Sequence, residues 1–421
     1  AFPYRLNQVQ GEVRYRDGQV DFRSLSAVHG NSRVTASGFC QFGPEGGWRL
    51  KFSNLNTQGL AVDRDLISAL PEELAAGIAP MNIQGPLTVS GAVEFRQGPH
   101  AEDAVSSDWD LSFDLENGKV NCGIVLNNIH GAVRLIGSNN AQGFHSRGEL
   151  SLDSIMYQGF QFTGVTGPVW IDRQRVALGA WADQPQRGQQ PRRLRAQVLG
   201  GSVAGDVHVS LEDDKYFTLQ AQLDQADLAE FAREHLPRER AISGGASGTL
   251  RLSGTSRGAD TLRGDGRLWL RQADIYELPV MVALLKILKI RPLDNTAFTS
   301  SDIDFRINGE DIYLDKIVFD GDAISLKGAG EVNLDRQVNL KFYTLVGKDS
   351  RRIPVVWPLM AGASRRILMI EVTGTLDDPV TMRNVLPGLN NTIERLFPEE
   401  FGNPNGQPGG RATNNRPQYQ R

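Results

Sequence analysis

The chain has 421 residues, a formal net charge of −4 and a pI near 6.0, which argues against the strongly basic surface of a nucleic-acid-binding protein. Its length allows two or three compact domains or one long repetitive domain. Hydrophobic residues make up 40% of the chain and glycine contributes 45 residues, which is typical of many short strands joined by tight turns and not of a helical bundle.

The N-terminal part of the chain shows strand patterns and one helix signal. In residues 48–52, apolar and basic side chains alternate, and a period of two indicates a strand with one apolar and one polar face. Asp17-Gly18 is a strong hairpin signal. Residues 63–70 predict a short helix that ends at Pro71.

The middle of the chain continues the alternation in residues 109–115, 194–198 and 217–223. Asn117-Gly118 predicts a further hairpin turn. Residues 183–193 are rich in Gln, Arg and Pro and predict a flexible loop on a solvated face; the alternative role of its arginines is contact with anionic lipid. Residues 225–236 predict a helix that follows the cap Asp224 and stops at Pro237.

The clearest pattern runs from Gly248 to Pro379, where short alternating strands are punctuated by glycine. Asn308-Gly309 and Asp320-Gly321 predict hairpin turns. Residues 278–290 predict an apolar helix of about 20 Å at ~1.5 Å per residue, which is short of a ~30 Å hydrocarbon core. We therefore expect a soluble fragment whose membrane anchor, if it has one, lies upstream.

The C-terminal end changes character after the last strand signal. Residues 388–397 predict a short amphipathic helix with Leu389, Ile393, Leu396 and Phe397 on one side. Residues 398–421 hold almost no apolar side chains. That composition predicts a disordered tail.

A weak internal repeat accompanies the strands. Gly18 to Gly30 and Gly309 to Gly321 are both intervals of twelve residues, each after a similar turn and strand. A repeated unit that cannot bury its own apolar face predicts stacking into an elongated body. The alternative is an ordinary meander that reuses the same turn chemistry.

No residue pattern indicates catalysis, a metal or a cofactor. The six histidines are scattered singly, and the nucleophile-elbow, phosphate-loop and zinc-protease motifs are absent from the sequence. Cys40 and Cys122 show no metal-like spacing; we expect two unpaired thiols, and the alternative is one disulfide between them. We expect no enzyme; a carbohydrate-acting one would need two carboxylates about 5 to 9 Å apart in a cleft.

The predicted function depends on what covers the apolar face of the strands. A compact β-sandwich would hide this face against a second sheet. Alternatively, one long sheet curls into an open groove lined by apolar side chains, with strands of about 17 to 23 Å and roughly 25 of them over about 120 Å. Such a groove would carry acyl chains through water, because each CH₂ kept out of water is worth ~0.8 kcal/mol.

The region from about Gly244 to Pro387 resembles the AsmA-like family, within the wider AsmA/TamB-type group of bridge-like lipid transfer proteins. The resemblance is carried by an ordered set of elements. These are the glycine-led strand 264–270, the apolar helix after Leu278, the strand 298–307 with Asn308-Gly309, the strand 326–334 and the closing segment 372–379.

The resemblance implies a periplasmic envelope protein of diderm bacteria, tethered to the inner membrane by an N-terminal helix that this chain lacks. It implies a role in outer-membrane assembly and in phospholipid movement between membranes, with no catalytic residues. Partners would be phospholipid or another acyl lipid, the inner or outer membrane, and envelope proteins, but no nucleic acid.

We therefore predict a mainly β chain, an elongated twisted antiparallel sheet curled into an open groove. Residues 1–240 form a repetitive groove segment and 241–387 the AsmA-like region. The alternative function is an adaptor that binds a protein partner through a closed β-domain. The predicted lipid-binding residues are Leu250, Leu252, Leu268, Leu270, Ile303, Phe305, Ile307, Val338, Leu340 and Phe342; their alternative role is ordinary core packing.

Overall fold

The alternating segments of the sequence form one antiparallel β-sheet with a few short helices in the computed structural model. This confirms the predicted fold class. The structure describes residues 4–69, 75, 79, 82–100, 102–121, 124–185, 187–211, 215–236, 242–274, 279–288, 300–320, 324–346 and 368–385.

The sheet holds 21 strands in the described residues. They are β1 (Asn7–Arg16), β2 (Gln19–His29), β3 (Ser32–Phe42), β4 (Trp48–Leu60), β5 (Leu87–Gln97), β6 (Ser106–Asn121), β7 (Val125–Asn140), β8 (Gly143–Tyr157), β9 (Phe160–Asp172), β10 (Arg175–Leu178), β11 (Leu194–Val198), β12 (Gly201–Ser210), β13 (Phe217–Asp227), β14 (Ser243–Gly254), β15 (Arg263–Asp274), β16 (Ser300–Asn308), β17 (Asp311–Asp320), β18 (Ile324–Asn333), β19 (Val338–Val346), β20 (Leu368–Gly374) and β21 (Pro379–Val385).

The strands follow one another as a meander with one interruption. Both β10 and β11 pair with β9 on one side and β12 on the other, so they are two halves of one strand position. The 21 strands therefore occupy 20 positions, about 95 Å at ~4.8 Å per strand. No pairing joins β1 to β21 in the described residues, so the sheet stays open.

Bulges curl this sheet. An extra residue with a left-handed backbone interrupts the pairing at Ser24, Asn117, Gln225 and Gln272, with φ between 48° and 55°. A bulge bends its strand and increases the local twist. Because the bulges recur along the sheet, they turn the row of strands into a groove.

The connections between strands form two different rims. At the turn rim they are short, from Asp17-Gly18 between β1 and β2 to residues 98–105 between β5 and β6. The opposite edge, the helical rim, carries the three α-helices of the described chain: α1 (Arg64–Ala69), α2 (Leu228–His235) and α3 (Pro279–Leu288). None of the helices that the structure describes has the length and apolar character to span a bilayer.

Two of the helix predictions agree with the structure, and a third is wrong at its start. α1 lies within residues 63–70, and α3 lies within residues 278–290 with Pro279 in its first turn. The predicted cap Asp224 and the predicted start at residue 225 are wrong: residues 225–227 still belong to β13, and Asp227 caps α2 by accepting a hydrogen bond from Ala229 N at 2.7 Å. Residues 388–421, with the predicted amphipathic helix and tail, lie outside the described residues.

Two of the four turn predictions are confirmed and one is wrong. Asp17-Gly18 and Gly309 make the predicted hairpin turns. Asn117-Gly118 does not end a strand: Asn117 forms a bulge, and β6 continues to Asn121. The left-handed conformation that Asn favours serves a bulge as well as a turn. Gly321 lies outside the described residues.

The polar face of the sheet is held by ion pairs between neighbouring strands. These pairs are Arg49–Glu94, Arg134–Asp110, Arg267–Asp304, Arg271–Asp302, Arg306–Asp315 and Lys341–Glu371. Among them Glu94 is the most buried carboxylate, with a side chain 9% exposed. Its oxygens lie 2.6 Å from Arg49 Nε and 2.5 Å from Arg96 Nε.

We predict that Glu94 makes stability depend on acid pH. Hydrogen bonds from Arg49 first, and then Arg96, outweigh burial and lower the pKa of Glu94 from 4.5 to about 2. A lowered native pKa stabilises the fold above pH 4.5, and this stabilisation is lost as the pH falls towards 2. Near neutral pH, Glu94→Gln should therefore lower the free energy of unfolding by about 1–3 kcal/mol, and urea titrations should show this difference shrinking in acid.

The matched control is Asp17→Asn, which removes an ion pair whose two side chains are both 88% exposed. An exposed pair contributes little, so this variant should unfold like the wild type. A Glu94→Gln effect that stays constant down to low pH would contradict the electrostatic explanation.

On the apolar face, large side chains pack over glycines of the neighbouring strand. The Phe305 ring covers Gly266, and Phe342 covers Gly328. A Cβ built on Gly266 would collide with the Phe305 ring and would lie 2.6 Å from Thr249 O. These glycines are needed for close packing within a single layer.

We predict that Gly266→Ala lowers the free energy of unfolding by about 1–3 kcal/mol, because the added methyl displaces Phe305 or the strand. Gly245→Ala is the control, since nothing lies within 4 Å of a Cβ at that position. Urea denaturation of both variants measures the difference. Equal stability of the two would show that the Phe305–Gly266 contact is not tight.

Candidate functional site

An uninterrupted apolar row crosses the sheet through directly paired residues. This central row runs from β4 to β19 and holds only aliphatic residues and glycine. Its members, in order of pairing, are Leu55, Gly91, Leu111, Leu135, Gly148, Val169, Leu178, Val207, Leu219, Leu252, Gly264, Ile307, Ile312, Val332 and Val338.

A second row lies next to the central row, on the side of the turn rim. Its only polar member is Ser146, whose Oγ accepts a hydrogen bond from Trp109 Nε1 at 3.3 Å. The members of the second row are Phe22, Gly38, Phe52, Val93, Trp109, Gly137, Ser146, Ile171, Val176, Val209, Phe217 and Gly254.

The lip row is the next row towards the turn rim, and it is mixed in character. It combines apolar residues with the uncharged polar residues Ser107 and Asn139 and with Cys40, and none of its members carries a charge. The members of the lip row are Tyr15, Val20, Cys40, Leu50, Phe95, Ser107, Asn139 and Phe144.

In the described residues the groove is open above most of these rows. All described strands belong to one sheet, so no second sheet of the described chain covers the apolar face, as a sandwich would require. On β13 the apolar-face residues Leu219, Ala221 and Leu223 are half-buried, whereas Gln220 and Gln222 of the polar face are exposed. Partial burial without a facing sheet is what a sheet curled towards its apolar face produces.

The ten residues predicted to bind lipid all lie on this apolar face. The register places Leu252, Ile307 and Val338 in the central row. The other seven belong to the parallel rows beside it, on β14–β16 and β19: Leu250, Leu268, Leu270, Ile303, Phe305, Leu340 and Phe342. The structure therefore brings the predicted residues together on one surface, and their contact with lipid stays a prediction.

Burial divides the ten residues into two groups. Leu270, Val338, Leu340 and Phe342 are buried in one cluster, which favours ordinary core packing for these four. The other six are half-buried and line the groove: Leu250, Leu252, Leu268, Ile303, Phe305 and Ile307. Half-buried groove residues therefore lie on β14–β16, whereas Leu270 of β15 and the three residues of β19 belong to the buried cluster.

Helix α3 contributes to this buried cluster. Met281 and Leu284 of α3 are fully buried in the same cluster as Leu340 and Phe342. The helix also packs against β21. The apolar side of α3 thus faces the sheet and not the solvent.

We predict that α3 is a stabilising part of the fold. Leu284→Ala should lower the free energy of unfolding by about 2–5 kcal/mol, because a fully buried leucine leaves a cavity. Val282 of the same helix is 37% exposed, so Val282→Ala should change stability by less than about 0.5 kcal/mol. Thermal unfolding of the two variants tests the difference; similar losses would contradict the observed packing of α3.

Sequence reasoning missed the N-terminal half of the groove. The alternation predicts that Phe52, Trp109 and Leu111 lie on strands, but all ten predicted site residues lie in the region with the family resemblance. The signal was present, because residues 48–52 and 109–115 alternate as clearly as residues 302–307. Only the register showed that all of these strands share one face.

The arginine-rich loop between β10 and β11 lies on the polar face and is anchored there. Arg192 forms ion pairs with Glu149 at 3.1 Å and with Asp183 at 3.4 Å. Arg193 pairs with the buried carboxylate of Asp206 at 2.8 Å. The prediction of a loop is confirmed, but its ends are held by these pairs, which local composition does not show.

A cavity of about 330 Å³ lies beside this loop and includes Trp170 and Arg147 in its lining. Two carboxylates, Glu149 and Asp183, also line it, and both are ion-paired with Arg192. The cavity therefore does not present a pair of free carboxylates of the kind that a glycosidase uses.

Within the part of the chain that the structure describes, no cluster of His, Cys, Asp or Glu is arranged to hold a metal ion. Cys40 is a free thiol on the apolar face, and burial raises its pKa. Cys122 lies outside the described residues. Comparisons with protein-family models, with curated proteins and with solved structures found no match to this chain.

Proposed function

We propose that this chain is a non-enzymatic conduit or scaffold that shields the acyl chains of phospholipid or a similar lipid. The observation that carries the proposal is the central row, which crosses fifteen strands without a polar side chain. In line with the AsmA-like resemblance, we place the protein in the periplasm, in outer-membrane biogenesis, tethered to the inner membrane by an upstream helix.

The energetics of a uniform groove suit transport. An acyl chain of about 15 methylene groups is driven out of water by of order 12 kcal/mol. The central row offers many similar aliphatic positions and no single strong site. For an acyl chain to move, its binding must be favourable enough for it to enter the groove and equally favourable at the next position, as in other multi-site pathways.

The second candidate, an adaptor that binds a protein partner through a closed β-domain, has less support. Such a domain would bury the apolar face against itself. The described sheet instead leaves most of its central row half-buried along an open groove, with only Val169 and Val338 of that row buried.

We predict that a charge in the groove removes bound lipid. Leu135 lies in the central row, and its neighbour Ile136 points to the polar face and is 40% exposed. Leu135→Glu should reduce co-purified phospholipid, measured by mass spectrometry, by about tenfold or more, because an unpaired buried carboxylate costs several kcal/mol. Ile136→Glu makes the same chemical change on the other face and should retain the lipid.

Transfer of labelled phospholipid between vesicles should follow the same order. Circular dichroism of both variants checks that the sheet still forms. Wild-type chain that neither co-purifies with lipid nor transfers it would contradict the proposal whatever the variants do.

A further inference from the structure

The apolar face changes in polarity across the groove, from the helical rim to the turn rim. On β6 the series begins with Leu115 and Phe113, which pack into a buried cluster with α1. It continues through Leu111 of the central row and Trp109 of the second row. The series ends at Ser107 of the lip row, where the surface is half-buried and hydrogen-bonding.

Aromatic side chains concentrate at the turn rim of this gradient. From β1 to β8 the positions nearest this rim include Tyr15, Phe42, Trp48, Phe95, Trp109 and Phe144. Tyr15 is 73% exposed and Phe42 is 54% exposed. Aromatic residues, Trp and Tyr above all, are the ones that proteins place where hydrocarbon meets water.

The hydrogen-bonding groups at the lip are neutral. Ser107 and Asn139 stand in the lip row, and Gln97 lies beside it and accepts a hydrogen bond from Trp48 Nε1 at 2.6 Å. Uncharged amides and hydroxyls match the ester and glycerol region of a lipid. A row of carboxylates or guanidinium groups would instead match a charged head group.

The width of the apolar surface fits a whole acyl chain. From Ser107 at the lip to Leu115 beside α1, β6 extends about 26 Å at ~3.3 Å per residue. One leaflet of a bilayer has a hydrocarbon depth of about 15 Å, half of the ~30 Å core. An acyl chain therefore fits along the strands between the two rims.

We infer that the groove, if it carries lipid as proposed above, holds each lipid in one orientation. The ester region lies at the aromatic turn rim, the head group is in water outside it, and the acyl chains point along the strands towards the helical rim. The ligand class is a glycerolipid with chains of ordinary membrane length. The groove would recognise the boundary between the ester groups and the hydrocarbon of the lipid and not the charge of its head group.

Tryptophan fluorescence tests this orientation in the full chain. Trp109 lies on the groove side near the lip, whereas Trp269 alternates with Leu268 and Leu270 and therefore points to the polar face. One variant keeps Trp109 and a control keeps Trp269, with every other tryptophan replaced by Phe. A third variant has no native tryptophan and carries Phe113→Trp as a deep reporter.

The probes are phosphatidylcholines with a quenching spin label at the ester end or at the methyl end of one acyl chain. Trp109 should be quenched more by the ester-end label, which gives a ratio of ester-end to methyl-end quenching above unity. The Phe113→Trp variant should give a ratio below unity. Phe162→Trp, which lies beside the Ile129–Leu152 cluster, is a second deep reporter if Phe113→Trp disturbs the packing around α1.

The possible failures are distinguishable. A reversed order, or equal ratios at the two depths, would overturn the orientation while leaving lipid binding intact. No quenching of either groove reporter by either label would overturn the proposed function itself. Quenching of Trp269 to the same extent as Trp109 would show adsorption on the outside of the sheet, and this would also overturn the inference.

Discussion

The structure depends on one constraint: every strand must keep its apolar residues on the same side of a single sheet. A shift of the pairing by one residue would move an entire apolar set to the other face. The register avoids this from β2 to β20, and the cross-strand rows are its result. No second layer compensates for an error, so the pairing itself has to be accurate.

Bulges are compatible with this constraint, because the apolar side chains before and after each bulge still point to the same face of the sheet. Two apolar residues that flank a bulge are three positions apart, as are Phe22 and Leu25 in β2 and Leu223 and Ala226 in β13. In a regular strand, side chains three positions apart point to opposite faces. The extra residue in each bulge returns the second side chain to the apolar side. The same bulges bend the strands, so they determine both the curvature of the sheet and the face to which the side chains point.

The two faces of the sheet are stabilised by different interactions. Ion pairs such as Arg267–Asp304 join strands on the polar side, whereas glycine and large side chains such as Gly266 and Phe305 interlock on the apolar side. This division lets one layer of strands stand without a covering sheet. Where more burial is needed, as at β19, helix α3 supplies it from the helical rim.

The sequence by itself determined the strands, the helices α1 and α3, the Asp17-Gly18 hairpin and the mainly β class, because periodicity and turn chemistry are local; that the single sheet stays open was decided by the strand pairing. It did not determine which predicted groove residues are accessible: Phe305 and Phe342 follow the same alternation, yet only Phe342 is buried, in the cluster that also holds Met281 and Leu284 of α3. It also placed a turn at Asn117, where the chain makes a bulge. These features depend on register and on contacts between distant segments, which only the tertiary structure fixes.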